Sequence, residues 1–279
     1  MASMMSTQRI SGTHIAAHRI AALREDIQTL PRAPHLRVVC VGVQPAIASY
    51  IRIKERRAKE AGIAFSLTQL PEESTAHALV AALSADASDA LVVQLPLPPH
   101  IDTDAVLEML PTGKDADILS PQAYAQFAAG APGALLPPVV YAVQCVLAEA
   151  RVSVAGRAAL VVGNGRLVGK PVAKWLAQQG ARVTVVTRDS GTLAEALAEA
   201  DLVVSGAGVP RLITPEQVRP GAVLIDAGTS ELGGVLVGDI DPACEDKASV
   251  FTPMPGGIGP LTVAGLLSNV VAITSRRFA

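Results

Sequence analysis

The feature that most constrains this chain is a recurring short run of apolar, largely β-branched residues: LRVVCVGV (36–43), AFSLTQL (64–70), ALVVQLPL (90–97), AALVVGNG (158–165), RVTVVTR (182–188), LVVSGAG (202–208) and AVLIDAG (222–228). Most lack the strict polar alternation of a sheet with one wet face, so they suit strands covered on both sides, as in a parallel sheet. Between them lie stretches with helical spacing, THIAAHRIAALREDIQTL (13–30), ASYIRIKERRAKEAGI (48–63), STAHALVAALSA (74–85) and VVYAVQCVLAEA (139–150). Alternating strands and helices build α/β layers. Gly and Pro interrupt regular structure in GAPGALLPP (130–138) and mark a boundary. The expected fold is therefore α/β with two domains: residues 1–138, with 262–279 packing back on them, and a doubly wound Rossmann-type nucleotide domain over 139–261.

At 279 residues, half of them hydrophobic, the chain is long enough for two such cores. A net charge of −2 gives no general attraction to polyanions, so neither nucleic acid nor an anionic membrane is expected as a partner. Cys40, Cys145 and Cys244 are single and widely spaced, which fits a reducing, cytoplasmic setting and no metal. No uninterrupted apolar run reaches the roughly 18 residues of a membrane span. Before Glu25 the chain holds no acid, as an organelle transit peptide would, but the same segment reads as an ordinary amphipathic first helix.

Gly163, Gly165 and Gly169 follow an apolar strand and open a helix, with Pro171 in its first turn. Such a turn lets backbone approach a pyrophosphate and aims helix N–H groups at it. The same spacing also serves as a purely structural strand-to-helix turn. Tyr50 and Lys54 are four apart, so they share a helix face and can meet one ligand. With aromatics at 3% of the chain, a tyrosine in a polar helix start is a candidate for ring stacking, with half-buried packing as the alternative. Lys54 stands in a charged run that would otherwise be a solvated helix face. Gln94 ends an apolar strand, where α/β sheets place ligand contacts.

The segments YIRIK (50–54), VQLPLPPHI (93–101), PTGKDAD (111–117), VVGNGRLVGKP (161–171), RPGAVLIDAG (219–228), VGDID (237–241) and TPMPGGIGPLT (252–262) occur in one order over nearly the whole chain. Together they resemble the methylenetetrahydrofolate dehydrogenase/cyclohydrolase family. The resemblance implies oxidation of 5,10-methylenetetrahydrofolate with NADP and hydrolysis of the methenyl product to 10-formyltetrahydrofolate, in a homodimer with folate held between the domains. It assigns Lys54 as base or proton shuttle, with Gln94 and Tyr50 beside it. It assigns Asp117 to the pterin, which a carboxylate holds by accepting ring N–H bonds. Pro255, Gly256 and Gly257 become a rigid turn lining the folate site. The plain structural alternative for the PTGKDAD segment is a loop salt bridge made by Asp115 or Lys114. For Lys54 to take a proton, its surroundings must favour the neutral amine, and a neutral Gln94 can hold it without supplying an opposing charge.

The departures from the family pattern concentrate at the cofactor. The family's Gly-Arg-Ser is Gly163-Asn164-Gly165 here, and its cluster after the second strand is Thr187-Arg188-Asp189-Ser190. Its Asp-Gly is Asp117-Ile118, its Pro-Cys-Thr-Pro is Leu135-Leu136-Pro137-Pro138, and its Val-Gly-Ile-Asn is Ala227-Gly228-Thr229-Ser230. The cofactor set implied is Gly163, Asn164, Gly165, Arg188, Ser190 and Thr229. Arg188 suits the 2′-phosphate of NADP and Asp189 the free hydroxyl of NAD. If both lie on a strand, their side chains face opposite ways and only one reaches the ribose. Two alternatives remain: a folate-binding homologue with cyclohydrolase activity only, or none, acting as a sensor, and an unrelated Rossmann dehydrogenase.

Overall fold

The computed structural model describes residues 7–42, 45–84, 87–111, 113–191 and 193–278. The chain begins with β1 (Gln8–Arg9), α1 (Gly12–Gln28), β2 (His35–Val41), α2 (Pro45–Ala61), β3 (Ala64–Leu70), α3 (Ala76–Ser84) and β4 (Ala90–Val93). Short helices α4 (Thr103–Glu108) and α5 (Pro121–Ala128) follow, then α6 (Pro138–Glu149). The next stretch holds β5 (Ala158–Val162), α7 (Gly169–Gln178), β6 (Arg182–Val186), α8 (Leu193–Glu199), β7 (Leu202–Ser205) and β8 (Val223–Asp226). Last come β9 (Ser230–Leu232), β10 (Val235–Val237), β11 (Val250–Phe251) and α9 (Ile258–Ser275).

The chain divides into two compact units, residues 17–138 with 263–279, and residues 1–16 with 139–262. The expected first domain is thus corrected at its start. β1 pairs in parallel with β11, Gln8 opposite Val250, so the described residues 7–16 belong with the nucleotide-type unit. Two residues of strand carry too little apolar pattern to be read locally.

In the first unit β2 lies between β3 and β4, all parallel. β4 is apolar throughout because both of its faces are covered, and Leu79, Leu83, Leu91, Val93, Val106 and Leu107 form the core beside it. Each such buried aliphatic side chain contributes about 1.5–3 kcal/mol before conformational entropy is subtracted. Asp102 and Ser120 cap α4 and α5 by accepting N–H groups of the first turn, and Pro121 occupies the first helical position of α5. In the second unit six parallel strands run in the order β1-β11-β8-β7-β5-β6. The chain winds outward from β5 in both directions, so the carboxyl ends of β5 and β7 border the point where an α/β sheet takes its ligand. β9 and β10 form an antiparallel hairpin of their own.

The terminal helix starts at Ile258, four residues earlier than expected, within the TPMPGGIGPLT segment. By length and mean hydropathy it could cross a membrane, although Ser, Thr and Asn interrupt its apolar run; 67% of it is buried inside the protein, as in a core helix. Cys40, Cys145 and Cys244 are buried, and none of the three is in a disulfide.

Candidate active site

α2 and the end of β4 build the first cluster. Lys54, on α2, donates from Nζ to Gln94 Oε1 at 3.1 Å. The Asp117 Oδ2 atom lies 3.9 Å from the same Nζ, an ion pair without a hydrogen bond. The Lys54 and Asp117 side chains are only 14% and 19% exposed. Gln94 is itself fixed: its backbone N–H donates to Val39 O and its amide donates to Leu95 O at 2.8 Å, which turns Oε1 toward the lysine. Tyr50, one helical turn before Lys54, is 39% exposed. Its ring is therefore available to a ligand.

Asp117 is delivered by a strand-like segment. Leu91 N–H donates to Lys114 O and Ala116 N–H to Leu91 O, so Asp115 pairs in parallel beside β4. The chain then turns at Ile118, whose φ is +57°. That left-handed conformation is rare for a β-branched residue, and it stands where the family pattern has glycine. Among the described residues Asp115 makes no salt bridge, so the plain alternative for this segment does not hold for it. It is buried, accepts Ser120 N–H at 2.7 Å, and burial pushes its carboxyl above the ordinary range despite that bond. Asn269 of α9 donates both amide hydrogens, to Ala116 O at 2.8 Å and Leu136 O at 2.9 Å, and so ties down the chain next to Asp117. Its distance in sequence hides it from any local reading.

The second cluster lies in the other unit. Gly163 follows β5 with φ +96°, and a Cβ there would stand 2.8 Å from Gly206 O. A Cβ on Gly169 would meet Gly163 O at 2.1 Å. Both glycines are thus required by close backbone approach. Gly165 is not, since a Cβ there meets nothing within 4 Å; Asn164 and Gly165 are exposed. Val168 precedes α7 and offers no side-chain cap. The first turn of α7 has no capping side chain, but Lys170 N–H already donates to Gly165 O at 3.1 Å and Pro171 has no N–H, so a bound anion such as a pyrophosphate would meet chiefly the backbone of the glycine turn. These residues fit a dinucleotide.

Arg188, Asp189 and Ser190 are not on a strand. β6 ends at Val186 and the three form a 3₁₀ turn, with Ser190 Oγ accepting Thr187 N–H at 3.0 Å. The expected division of Arg188 and Asp189 between two sheet faces is therefore wrong. A local hydrogen bond closes the turn before the strand can continue. All three side chains are exposed, as is Thr229 beyond β8. Pro255 is exposed after a cis Met254–Pro255 bond, and Gly256 O accepts Thr13 N–H from the start of α1. A Cβ on Gly12 would lie 1.7 Å from Gly257 O, so helix start and turn are in backbone contact. Among the described residues no group of three or more His, Cys, Asp and Glu could hold a metal ion.

Comparison with known proteins matches both stretches of the chain to one family. Residues 10–117 match the tetrahydrofolate dehydrogenase/cyclohydrolase catalytic domain, and residues 137–278 match the NAD(P)-binding domain of the same enzymes. The bifunctional protein FolD of Methanospirillum hungatei is 37% identical over 273 residues, 96% of this chain and 98% of that protein. The crystal structure of FolD methylenetetrahydrofolate dehydrogenase/cyclohydrolase from Campylobacter jejuni superimposes with a TM-score of 0.94 at 32% identity, covering 97% of this chain and 99% of that one. The Trypanosoma brucei enzyme, complexed with NADP cofactor and inhibitor, gives 0.92 at 33% identity, covering 98% of each chain.

Proposed function

The chain belongs to the tetrahydrofolate dehydrogenase/cyclohydrolase family, and from that premise we propose that Lys54, Gln94 and Asp117 form its folate-hydrolysing centre. The protein oxidises 5,10-methylenetetrahydrofolate to the methenyl compound and hydrolyses that to 10-formyltetrahydrofolate. The observation that carries the assignment is the placement of Lys54 Nζ 3.1 Å from the neutral Gln94 amide oxygen; the opposing charge of Asp117, 3.9 Å away, is met by the pterin N–H groups once folate is bound, which leaves the amine form to the lysine. Gly163, Gly169 and the start of α7 would hold the pyrophosphate of a nicotinamide dinucleotide, which would supply the hydride acceptor for the oxidation.

The methenyl compound is a cation with charge shared by two nitrogens. Water adds to the one-carbon bridge, a proton leaves that water, and one carbon–nitrogen bond opens to release the formyl group. Lys54, as the amine, takes the proton. Gln94 keeps Nζ on station, and its own bond to Leu95 O prevents it from swinging away. Asp117 accepts N–H bonds from the pterin ring, and the Tyr50 ring stacks on it. Lys54→Met should keep the fold, since the aliphatic stem is retained, and lower hydrolysis of the isolated methenyl substrate about 100-fold or more. The decay of its absorbance measures this directly; a rate within about threefold of wild type would remove Lys54 from the mechanism.

NADP is the preferred cofactor in this reading, with Arg188 on its 2′-phosphate and Ser190 next to it. The 3₁₀ turn keeps Arg188 and Asp189 on one short exposed segment, so both affect the same ligand end and discrimination against NAD is weak. Arg188→Ala should raise KM for NADP far more than KM for NAD, and equal rises would contradict the placement. Homodimer formation is supported by the exposed apolar side chains of the β9–β10 hairpin, Leu232, Val235 and Leu236. A cytoplasmic location is supported by the three buried cysteines, none of them in a disulfide.

A further inference from the structure

Two buried acids in the nucleotide-type unit have no part in the chemistry above. Asp226 is 2% exposed and Asp239 is fully buried. Asp226, the last residue of β8, accepts Gly228 N–H at 2.9 Å, Asp239 N–H at 3.2 Å and Ile240 N–H at 2.9 Å. Asp239 in turn accepts Ser205 Oγ–H at 2.8 Å and the N–H groups of Ala207, Gly208 and Val209 at 2.7, 3.3 and 2.9 Å. One carboxylate thus holds the segment that carries the other, and the second holds the loop after β7.

The close approach leaves no room for side chains around the pair. A Cβ on Gly228 would lie 2.2 Å from the Asp239 carboxyl, and one on Gly238 would lie 2.0 Å from Asp226 Oδ2. The loop so fixed presses on the glycine turn, because Gly206 O faces Gly163 and a Cβ on Gly206 would lie 2.3 Å from Val168 Cγ1. Burying two acids near each other opposes folding, and apolar residues would pack the same space at less cost. What the acids add is a fixed set of N–H groups behind two loops at the carboxyl ends of β7 and β8, where a doubly wound sheet meets its nucleotide.

We propose that Asp226 and Asp239 form a carboxylate clamp that positions residues 206–209 and 227–229 for the dinucleotide, making them positioning residues for cofactor binding and not for hydrolysis. The proposal rests on the reading of this unit as the NAD(P) site. Its test uses the full chain and three variants, Asp239→Asn, Gly228→Ala and Ser205→Ala. NADP and NAD binding are measured by calorimetric titration, and methenyl hydrolysis is measured without cofactor.

Asp239→Asn replaces an acceptor oxygen with a donor facing other donors, and Gly228→Ala pushes on the same carboxyl without changing charge. Both should weaken binding of both dinucleotides about tenfold or more, on the order of the loss of one hydrogen bond to a charged group. Hydrolysis should stay within about twofold. Ser205→Ala, which removes one hydroxyl from a cage otherwise made of backbone, should weaken binding less but in the same direction, and it decides the matter if the other two do not fold. Unchanged dinucleotide binding, or equal losses of binding and hydrolysis, would overturn the clamp. Wild-type protein that binds NADP yet fails to oxidise methylenetetrahydrofolate would count against the functional reading alone, because the clamp is read by binding.

Discussion

Asp117 stands next to Ile118, and that junction shows how one residue is placed. A left-handed conformation costs a β-branched residue roughly 1–2 kcal/mol. Ile118 is 3% exposed, and burying its side chain returns about 1.5–3 kcal/mol, so the core can hold the turn that glycine would make freely. The carboxylate just before the turn is thereby fixed relative to Lys54. Because a pterin anchor serves oxidation and hydrolysis alike, Asp117→Ala should weaken folate binding and slow both half-reactions together. The loss of a hydrogen bond to a charged group is about 1.5–3 kcal/mol. Separate assays of the two steps check this, and a fall in only one would give Asp117 a catalytic task instead.

Among elements, α2 was legible because Tyr50 and Lys54 repeat at helical spacing, and β4 because its apolar run stops at Gln94. α9 was legible as a helix but not as a brace. Its Asn269 is 6% exposed and reaches two carbonyls far back in the chain. Asn269→Leu would leave Ala116 O and Leu136 O without that donor, at a cost of roughly 1–3 kcal/mol. The expected result is a lower urea midpoint with a raised KM for folate and an almost unchanged kcat for hydrolysis, since Ala116 neighbours Asp117, the proposed pterin anchor, and not Lys54, the proposed proton acceptor. A loss confined to kcat would contradict that assignment.

At the scale of the molecule, buried carboxylates give the two units different responses to pH. Burial, with the charge of Asp239 adding to it, pushes Asp226 up to about 6 against the pull of its N–H donors. The folded state then binds its proton more readily than the unfolded chain. The stability that Asp226 contributes is full below the ordinary carboxylate range and is lost as pH rises through about 6. Asp89, in the other unit, behaves oppositely. Burial alone would raise it, but the Arg32 hydrogen bonds, the His35 N–H and the charges of Arg32 and Arg277 outweigh burial and hold it below the ordinary range. Its contribution is present above that range and disappears as pH falls through its lowered value. Carbon-detected carboxyl titration should therefore find Asp226 with a midpoint near 6. A midpoint near 3.9, the approximate value of a free aspartate, would show that the backbone donors fully offset burial.

The sequence by itself determined the alternating α/β plan, the boundary near Pro138, the glycine turn after β5 and the grouping of Tyr50 and Lys54. Each of these follows from residues within one or two turns of each other, where spacing alone decides which side chains share a face. Tertiary structure alone decided the rest. The pairing of β1 with β11 spans most of the chain, and two residues of strand have no pattern to read. The turn at Arg188 depends on a Ser190 hydroxyl closing back on Thr187. Asp226, Asp239 and Asn269 look like ordinary polar residues until distant backbone groups surround them. Burial and the donors that satisfy a buried acid come from segments far apart in sequence, so their effect exists only once the sheet has formed.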